Sequence, residues 1–157
     1  MSETARILVI DDDESVRKTI AKSLEKAGYR VDTVENGAEA IEKSQATRYN
    51  LALIDIRLPD MEGTKLLAAM RDTTPKMVKI ILTGYPAMEN AIEAVNKGAD
   101  SYITKPVKID DLLKLVKMQL AKQQEEMKYS EDRVAAYVGT RFRELEAKEK
   151  QSSPKGT

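Results

Sequence analysis

The chain has 157 residues, which is enough for one domain and an additional segment. Its 26 basic and 26 acidic residues cancel, so no net field would draw the protein to nucleic acid or to an anionic membrane. Cysteine and histidine are both absent, which excludes disulfides and thiol chemistry and argues strongly against a zinc site or a histidine-activated nucleophile.

The N-terminal residues MSETARILVI lack the apolar core and the cleavage site of a signal peptide. No apolar run in the chain approaches the length that a membrane span requires. We therefore expect a cytoplasmic protein.

Short apolar runs alternate along the chain with longer amphipathic segments. The run RILVI (6–10) is apolar throughout, as in a strand that is buried on both faces, whereas YRVDTV (29–34) alternates like an edge strand. Further runs typical of strands lie at 51–54, 78–82 and 101–104. Helical spacing of apolar residues predicts helices at 14–28, 37–48, 64–73, 87–98 and 109–120. Five strand–helix units with short links predict an α/β fold, a doubly wound (βα)5 domain with a five-stranded parallel sheet.

Polar residues directly follow four of these predicted strands. In chain order they are Asp11, Asp12 and Asp13 after the first strand, Asp55 after the third, Thr83 after the fourth and Lys105 after the fifth. The carboxyl ends of the strands share one edge of a doubly wound sheet, and ligands bind in the crevice there. The sequence therefore predicts that carboxylates, a hydroxyl and an ammonium meet at one edge.

Carboxylates packed this closely repel each other unless cations join them. Lys105 supplies one cation, and an all-oxygen ligand set suits a hard divalent ion as the second. Mg²⁺ is typically held by one or two carboxylates and completes its shell with water and phosphate oxygens. The predicted cluster is therefore typical of a phosphoryl-transfer centre with a carboxylate nucleophile.

Each of these residues has a simpler role when it is considered alone. Asp13, followed by Glu14, would cap the first helix. Thr83 would end a strand with a side-chain hydrogen bond, and Tyr102 would be an ordinary strand residue. Asp60 and Gly63 would occupy turn positions. Lys105 would be a solvated turn residue, and the Arg57 side chain would be solvated. The common placement at four strand ends favours a shared site over these separate explanations.

Four segments resemble, in order and spacing, the receiver domain of two-component response regulators. They are ILVIDDDES, LALIDIRLPDMEG, KIILTGY and GADSYITKP, within a resemblance that covers about residues 6–121. The resemblance implies the flavodoxin-like, CheY-like strand order 2-1-3-4-5.

The resemblance also implies a role for each matching residue. Asp55 would be the phosphoacceptor and also a metal ligand. Asp12 would be a direct metal ligand, Asp11 would act mostly through water, and the backbone carbonyl of Arg57 would complete the Mg²⁺ contacts from the protein. Lys105 would pair with the phosphoryl oxygens, and the Lys105–Pro106 bond would be cis. Thr83 and Tyr102 match the switch pair, in which the hydroxyl moves to the phosphoryl group and the aromatic ring follows inward.

The function implied by the resemblance is phosphorylation-controlled signalling. A sensor histidine kinase or a phosphotransfer protein would present a phosphohistidine, and Asp55 would accept the phosphoryl group and slowly lose it again. This activity is self-phosphotransfer rather than conventional enzyme turnover. The added charge would switch the surface formed by the fourth predicted helix, the fifth strand and the fifth helix, and so control an output partner or domain.

The last third of the chain continues from the final predicted helix. Apolar residues recur at Leu113, Val116, Leu120, Met127, Val134, Val138, Phe142 and Leu145, although Gln123 and Ser130 interrupt the heptads. We predict a receiver domain at 1–121, a helical extension or linker at 122–150 that is either a solvated helix or a dimer-forming coiled coil, and a disordered tail at 151–157. No motif for direct nucleic-acid binding follows the receiver domain.

Three alternatives belong to other functional classes. A phosphatase of the haloacid dehalogenase type requires a second Asp two positions after the nucleophile, where this chain has Arg57. A flavin-binding domain of related topology would cradle phosphate after the first strand, where DDDES would repel it. The third is a receiver-fold scaffold that is never phosphorylated and acts through dimerisation of its helical tail. The intact set of Asp, Thr and Lys residues argues against the scaffold.

Overall fold

A computed structural model describes residues 4–70, 76–84 and 98–152, with the side chains of 149–152 excepted. The strands are β1 (Arg6–Ile10), β2 (Arg30–Val34), β3 (Leu51–Asp55), β4 (Val78–Thr83) and β5 (Ser101–Thr104). The helices within these described ranges are α1 (Glu14–Lys26), α2 (Gly37–Ala46), α3 (Gly63–Ala69) and α4 (Ile109–Ser152). The helix predicted at 87–98 lies outside the described residues except for Gly98.

The five strands form one parallel sheet in the order β2-β1-β3-β4-β5. This confirms the predicted fold class and strand order. The exposure of the strands follows this order, because β3 and β4 are buried along their whole length while β2 and β5 at the two edges are only partly buried. The continuous apolar run of β3 therefore reflects a central strand covered on both faces.

The two faces of the sheet carry separate apolar cores, because successive side chains of a strand point in opposite directions. In β1, Leu8 and Ile10 pack in one core with the buried residues of α2 and α3. Ile7 and Val9 pack in the other core with α1 and with the first turns of α4. Helices therefore cover both faces of the sheet, as the (βα)5 pattern predicted.

Helix α1 begins and ends at residues whose chemistry explains its limits. The Asp13 carboxylate accepts a hydrogen bond from the backbone N–H of Val16 at 3.2 Å, which satisfies one of the free donors of the first turn. The helix ends at Lys26, two residues before the predicted end, and Gly28 follows with a φ of 99°. Glycine adopts this left-handed conformation without the steric penalty that other residues meet.

The chain divides by its contacts into two units, residues 1–123 and 124–157, and α4 contributes to both. In the first unit, Leu112, Val116 and Leu120 of α4 are buried against the sheet. In the second unit, all described side chains of the helix are exposed or only partly buried. The helix continues to Ser152, while the domain limits at 121 and 150 stay predictions. No described helix combines the length and apolar character needed to cross a bilayer.

Gln123 closes the first unit at the amino-terminal edge of the sheet. Its side chain is buried and donates hydrogen bonds to the backbone carbonyls of Asn50 at 2.9 Å and Lys76 at 2.7 Å, just before β3 and β4 begin. The Asn50 carboxamide oxygen in turn accepts a hydrogen bond from the backbone N–H of Arg6. The residue that interrupts the heptads in the sequence thus anchors α4 to the sheet.

We expect Gln123→Leu to lower the free energy of unfolding by about 1–3 kcal/mol, because a shape-matched apolar side chain leaves buried carbonyls without their donor. Urea unfolding of the chain measures this difference. Gln124→Leu is the matched control, because its side chain is exposed, and it should change the free energy by less than about 0.5 kcal/mol. Equal unfolding free energies for the two variants would contradict the anchoring role.

Candidate functional site

Asp11 lies at the end of β1 and is completely buried. Its backbone N–H donates to the carbonyl of Val34 at the end of β2, at 3.2 Å. Its carboxylate atom Oδ1 accepts a hydrogen bond from the backbone N–H of Asp13 at 2.9 Å, whereas Oδ2 lies 3.0 Å from the ammonium of Lys105. Asp12, the next residue, is exposed, so the two neighbouring carboxylates differ sharply in solvation.

Asp55 is the last residue of β3 and is buried beside the end of β4. The backbone N–H of Ile56 donates to the Leu82 carbonyl at 3.0 Å, which continues the pairing with β4 one residue past the strand. The carboxylate atom Oδ1 of Asp55 accepts a hydrogen bond from the backbone N–H of Arg57 at 3.2 Å. The remaining oxygen, Oδ2, faces the ammonium of Lys105.

Lys105 connects the two buried carboxylates. Its Nζ atom lies 3.0 Å from Asp11 Oδ2 and 3.3 Å from Asp55 Oδ2. The lysine backbone is fixed as well, because its N–H donates to the Thr83 carbonyl at the end of β4 at 2.7 Å. The Lys105–Pro106 peptide bond is cis, the geometry that the resemblance implied. Three strand ends therefore meet at one ammonium.

The charges of this cluster do not balance. Asp11, Asp12 and Asp55 carry three carboxylates, against the single ammonium of Lys105. The pKa of Asp55 is raised because burial disfavours its charged form and the Asp11 charge adds to this, although the Arg57 N–H and Lys105 act in the opposite direction. Burial lowers the pKa of Lys105, but pairing with Asp11 and the charges of both carboxylates outweigh this and raise the pKa overall.

The donor set fits a hard divalent cation. One carboxylate oxygen from each of Asp11, Asp12 and Asp55 lies within 4.8 Å of the others, and all three ligands are oxygen. The buried Asp11 Oδ2 atom shares its cationic partner, the Lys105 ammonium, with Asp55, so one positive charge serves two buried carboxylates. A divalent ion would also neutralise the net negative charge that Lys105 leaves uncompensated.

The loop after Asp55 is held close to the strand end by Gly63. A Cβ atom at this position would lie 2.5 Å from the Asp55 carbonyl oxygen, so the backbone approach admits no side chain. Asp60 in the same loop accepts hydrogen bonds from the backbone N–H groups of Gly37 and Ala38 at 2.8 and 2.9 Å. These bonds lower the pKa of Asp60 and cap α2, a longer-range role than the turn position predicted for it.

The two predicted switch residues, Thr83 and Tyr102, differ in their exposure to solvent. Thr83, the last residue of β4, is buried, and Tyr102 in β5 is 45% exposed. Arg57 lies two residues after Asp55, and its backbone pairs in antiparallel fashion with that of Glu62. The structure thus brings Asp11, Asp12, Asp55 and Lys105 together, while Tyr102 presents much of its surface to solvent.

The sequence matches the family model for the response regulator receiver domain over residues 7–117. The chain belongs to this family. Among curated relatives, the receiver-containing region is 35% identical over 120 residues to the DNA-binding transcriptional regulator NtrC of Escherichia coli K12, and the match covers 76% of this chain and 26% of NtrC. Response regulator MprA of Mycobacterium ulcerans is 30% identical over 142 residues, 90% of this chain and 60% of MprA. The chain therefore spans only part of these relatives.

A solved structure supports the same assignment. The crystal structure of a CheY-like response regulator receiver domain protein from Methanospirillum hungatei JF-1 superposes with a TM-score of 0.75 at 43% identity, covering 79% of this chain and 99% of that one. The α/β fold was predictable from the alternation of apolar runs and amphipathic segments, and the strand order from the family resemblance. Sequence reasoning missed the capping role of Asp60 and the close backbone approach at Gly63, because in both cases the partners are backbone atoms.

The raised pKa of Asp55 determines a pH-dependent stability. The folded-state pKa of Asp55 lies above the ordinary value of 3.8, so the ionised carboxylate destabilises the fold at neutral pH. This destabilisation shrinks as the pH falls through the folded-state pKa and is absent below about 3.8, where Asp55 is protonated in both the folded and the unfolded chain. Asp55→Asn should therefore be more stable than the unchanged chain at pH 7 without divalent ions, and the difference should vanish towards pH 3.8. Urea unfolding in chelator at several pH values measures it.

Asp60→Asn is the matched control in the same loop. The pKa of Asp60 is lowered, so its ionised form favours the fold at neutral pH and this contribution is lost as the pH falls through the lowered pKa. This variant should not be stabilised at pH 7. An Asp55→Asn variant that is no more stable than the unchanged chain at pH 7 would contradict the burial argument.

Proposed function

We propose that this chain is a phosphorylation-activated signalling receiver that accepts a phosphoryl group from a partner histidine kinase or phosphotransfer protein onto Asp55, with Mg²⁺ as cofactor. The observation that carries this proposal is the Lys105 ammonium, 3.0 Å from Asp11 Oδ2 and 3.3 Å from Asp55 Oδ2. Receiver domains of this family are phosphorylated by histidine kinases. The acidic cluster around Asp55 is consistent with that chemistry.

Asp55 is the nucleophile in this proposal. A carboxylate oxygen attacks the phosphorus of a phosphohistidine, the new O–P bond forms as the P–N bond breaks, and the imidazole leaves with the bonding electron pair. The product is an acyl phosphate, which water can later hydrolyse. Burial favours this reaction, because the Asp55 carboxylate is held by the Arg57 N–H and Lys105 rather than by a full shell of water.

Lys105 stabilises the charge that develops on the transferred group. Its ammonium is already placed between the two carboxylates and would move to the equatorial phosphoryl oxygens as the phosphoryl group is bonded to Asp55. Asp11 and Asp12, with the Arg57 backbone carbonyl, would hold Mg²⁺ beside Asp55. When bound, Mg²⁺ supplies further neutralisation of the phosphoryl oxygens and orients the donor.

The signal leaves the site through Thr83 and Tyr102 in this proposal. Thr83 is buried at the end of β4, and its backbone carbonyl accepts the Lys105 N–H. We propose that its hydroxyl moves to the phosphoryl group and that the Tyr102 ring, 45% exposed, turns inward. The surface affected would comprise β5, the start of α4 and the helix predicted at 87–98, which lies outside the described residues.

The exposed second half of α4 favours association of two chains. Met127, Val134, Val138 and Leu145 are between 36% and 61% exposed. At 100° per residue these positions fall within an arc of about 40°, so they form one apolar row along the helix. We propose that this row pairs two copies of the chain, and that phosphorylation of the receiver controls the output of the pair.

The location and the output complete the proposal. NtrC is described as a DNA-binding transcriptional regulator, but this chain covers only 26% of it. We propose that the present chain works in the cytoplasm and acts on a partner or a further domain, without contacting nucleic acid itself, because its 26 basic and 26 acidic residues create no net attraction.

Phosphorylation can be tested with a small phosphodonor and intact-protein mass spectrometry. The unchanged chain should take up one phosphoryl group with Mg²⁺, and Asp55→Asn should lower the labelling rate by about 100-fold or more, because it removes the nucleophile. Asp60→Asn should label normally, because Asp60 caps α2 and does not contact the cluster. Unchanged labelling of Asp55→Asn would refute the assignment, and a chain that never labels would favour the scaffold alternative.

Dimerisation can be tested by analytical ultracentrifugation of the full chain. Val138→Glu places a charge in the apolar row and should weaken association by about 2 kcal/mol, which corresponds to about 30-fold. Ala136→Glu adds the same charge about 160° away around the helix and should leave association nearly unchanged. A monomeric chain, or equal effects of the two variants, would contradict pairing through this row.

A further inference from the structure

Arg17 is an unusual residue in α1, because its relative exposure is only 9%. Arginine is almost never fully buried unless it is paired. Its Nη1 atom donates a hydrogen bond to the backbone carbonyl of Asp11 at 2.9 Å, and its Nη2 atom lies 3.3 Å from Glu35 Oε1. The guanidinium thus reaches from α1 to the first acidic residue of the candidate site.

The two contacts of Arg17 differ in strength. The Glu35 side chain is 65% exposed, and exposed ion pairs contribute about 0–1 kcal/mol. The contact with the Asp11 carbonyl is buried on both sides, and hydrogen bonds in which one partner is charged are about twice as strong as neutral ones. The Asp11 contact therefore explains the burial of Arg17 better than the pairing with Glu35 does.

Asp11 is restrained at three of its polar atoms. Its N–H donates to the Val34 carbonyl, its own carbonyl accepts from Arg17, and its Oδ1 atom accepts from the Asp13 N–H. These restraints leave Oδ2 directed at Lys105, the residue that also pairs with Asp55. Without Arg17, the Asp11 carbonyl would lose its donor, and the direction of Oδ2 would be restrained less firmly.

We infer that Arg17 is a positioning residue for the acidic site. It acts through the Asp11 backbone and keeps Asp11 Oδ2 aimed at the space shared with Asp12 and Asp55. Arg17 itself touches neither the cation nor the phosphoryl group. The inference rests on the proposed function of this site as a centre that binds Mg²⁺.

The first experiment is a Mg²⁺ titration of the full chain, followed by the backbone amide signals in NMR. Groups that orient metal ligands typically contribute about 10–100-fold to metal affinity. Arg17→Met, which keeps the apolar length of the side chain, should therefore raise the Mg²⁺ dissociation constant by about 10–100-fold. Glu35→Gln removes the ion pair but keeps the Asp11 contact, and should change the constant by less than about threefold.

A second variant separates positioning from simple folding. Arg17→Lys keeps the charge but lacks the planar fork of donors, so it should restore only part of the affinity. If Arg17→Met does not fold, Arg17→Lys against Glu35→Gln decides the question. A folded Arg17→Lys or Arg17→Met chain that binds Mg²⁺ as tightly as the unchanged chain overturns the inference.

A measurement without metal distinguishes failure of the positioning role of Arg17 from failure of the proposed function. Hydrogen exchange of the Asp13 amide, which donates to Asp11 Oδ1, should be faster by about tenfold in Arg17→Met than in the unchanged chain at matched global stability. Unchanged exchange overturns the positioning role. An unchanged chain that does not respond to Mg²⁺ at all refutes the proposed function, whatever the exchange rates are.

Discussion

One ammonium shared by two buried carboxylates is the interaction on which the candidate site depends. Lys105 lies within 3.3 Å of both Asp11 and Asp55 and partly offsets the cost of burying two carboxylates side by side. The parallel sheet makes this possible, because it brings the carboxyl ends of β1, β3 and β5 to the same edge. The hydrogen bond from the Lys105 backbone N–H to the Thr83 carbonyl then fixes the position of the lysine backbone.

This arrangement leaves the site with more negative than positive charge. Among the described residues three carboxylates face the Lys105 ammonium, and the buried Asp11 and Asp55 carboxylates share it. Burial is the main cause of the raised pKa of Asp55, and the negative charge of Asp11 adds to it. A divalent cation beside the three carboxylates would offset this excess negative charge. The protein's electrostatics are thus consistent with the reaction that we propose.

The carboxyl ends and the amino ends of the strands use different chemistry. The carboxyl ends gather charged groups that can change partners. At the amino ends the contacts are made by neutral amides, because the Gln123 side chain donates hydrogen bonds to the carbonyls of Asn50 and Lys76. Uncharged, fully bonded groups of this kind stabilise a structure without responding to ions or pH. The helix α4 is thereby anchored to the sheet at the point where the receiver unit ends.

The sequence by itself determined the fold class, the strand order implied by the resemblance, and the grouping of Asp11, Asp55, Thr83 and Lys105 at strand ends. These features depend on local apolar patterns and on which residue follows each strand, and both can be read in one dimension. The capping of α2 by Asp60, the close approach at Gly63, the Arg17–Asp11 contact and the anchoring by Gln123 were decided only in three dimensions. Each of them joins a residue to backbone atoms of another segment, and backbone atoms carry no signature in the sequence.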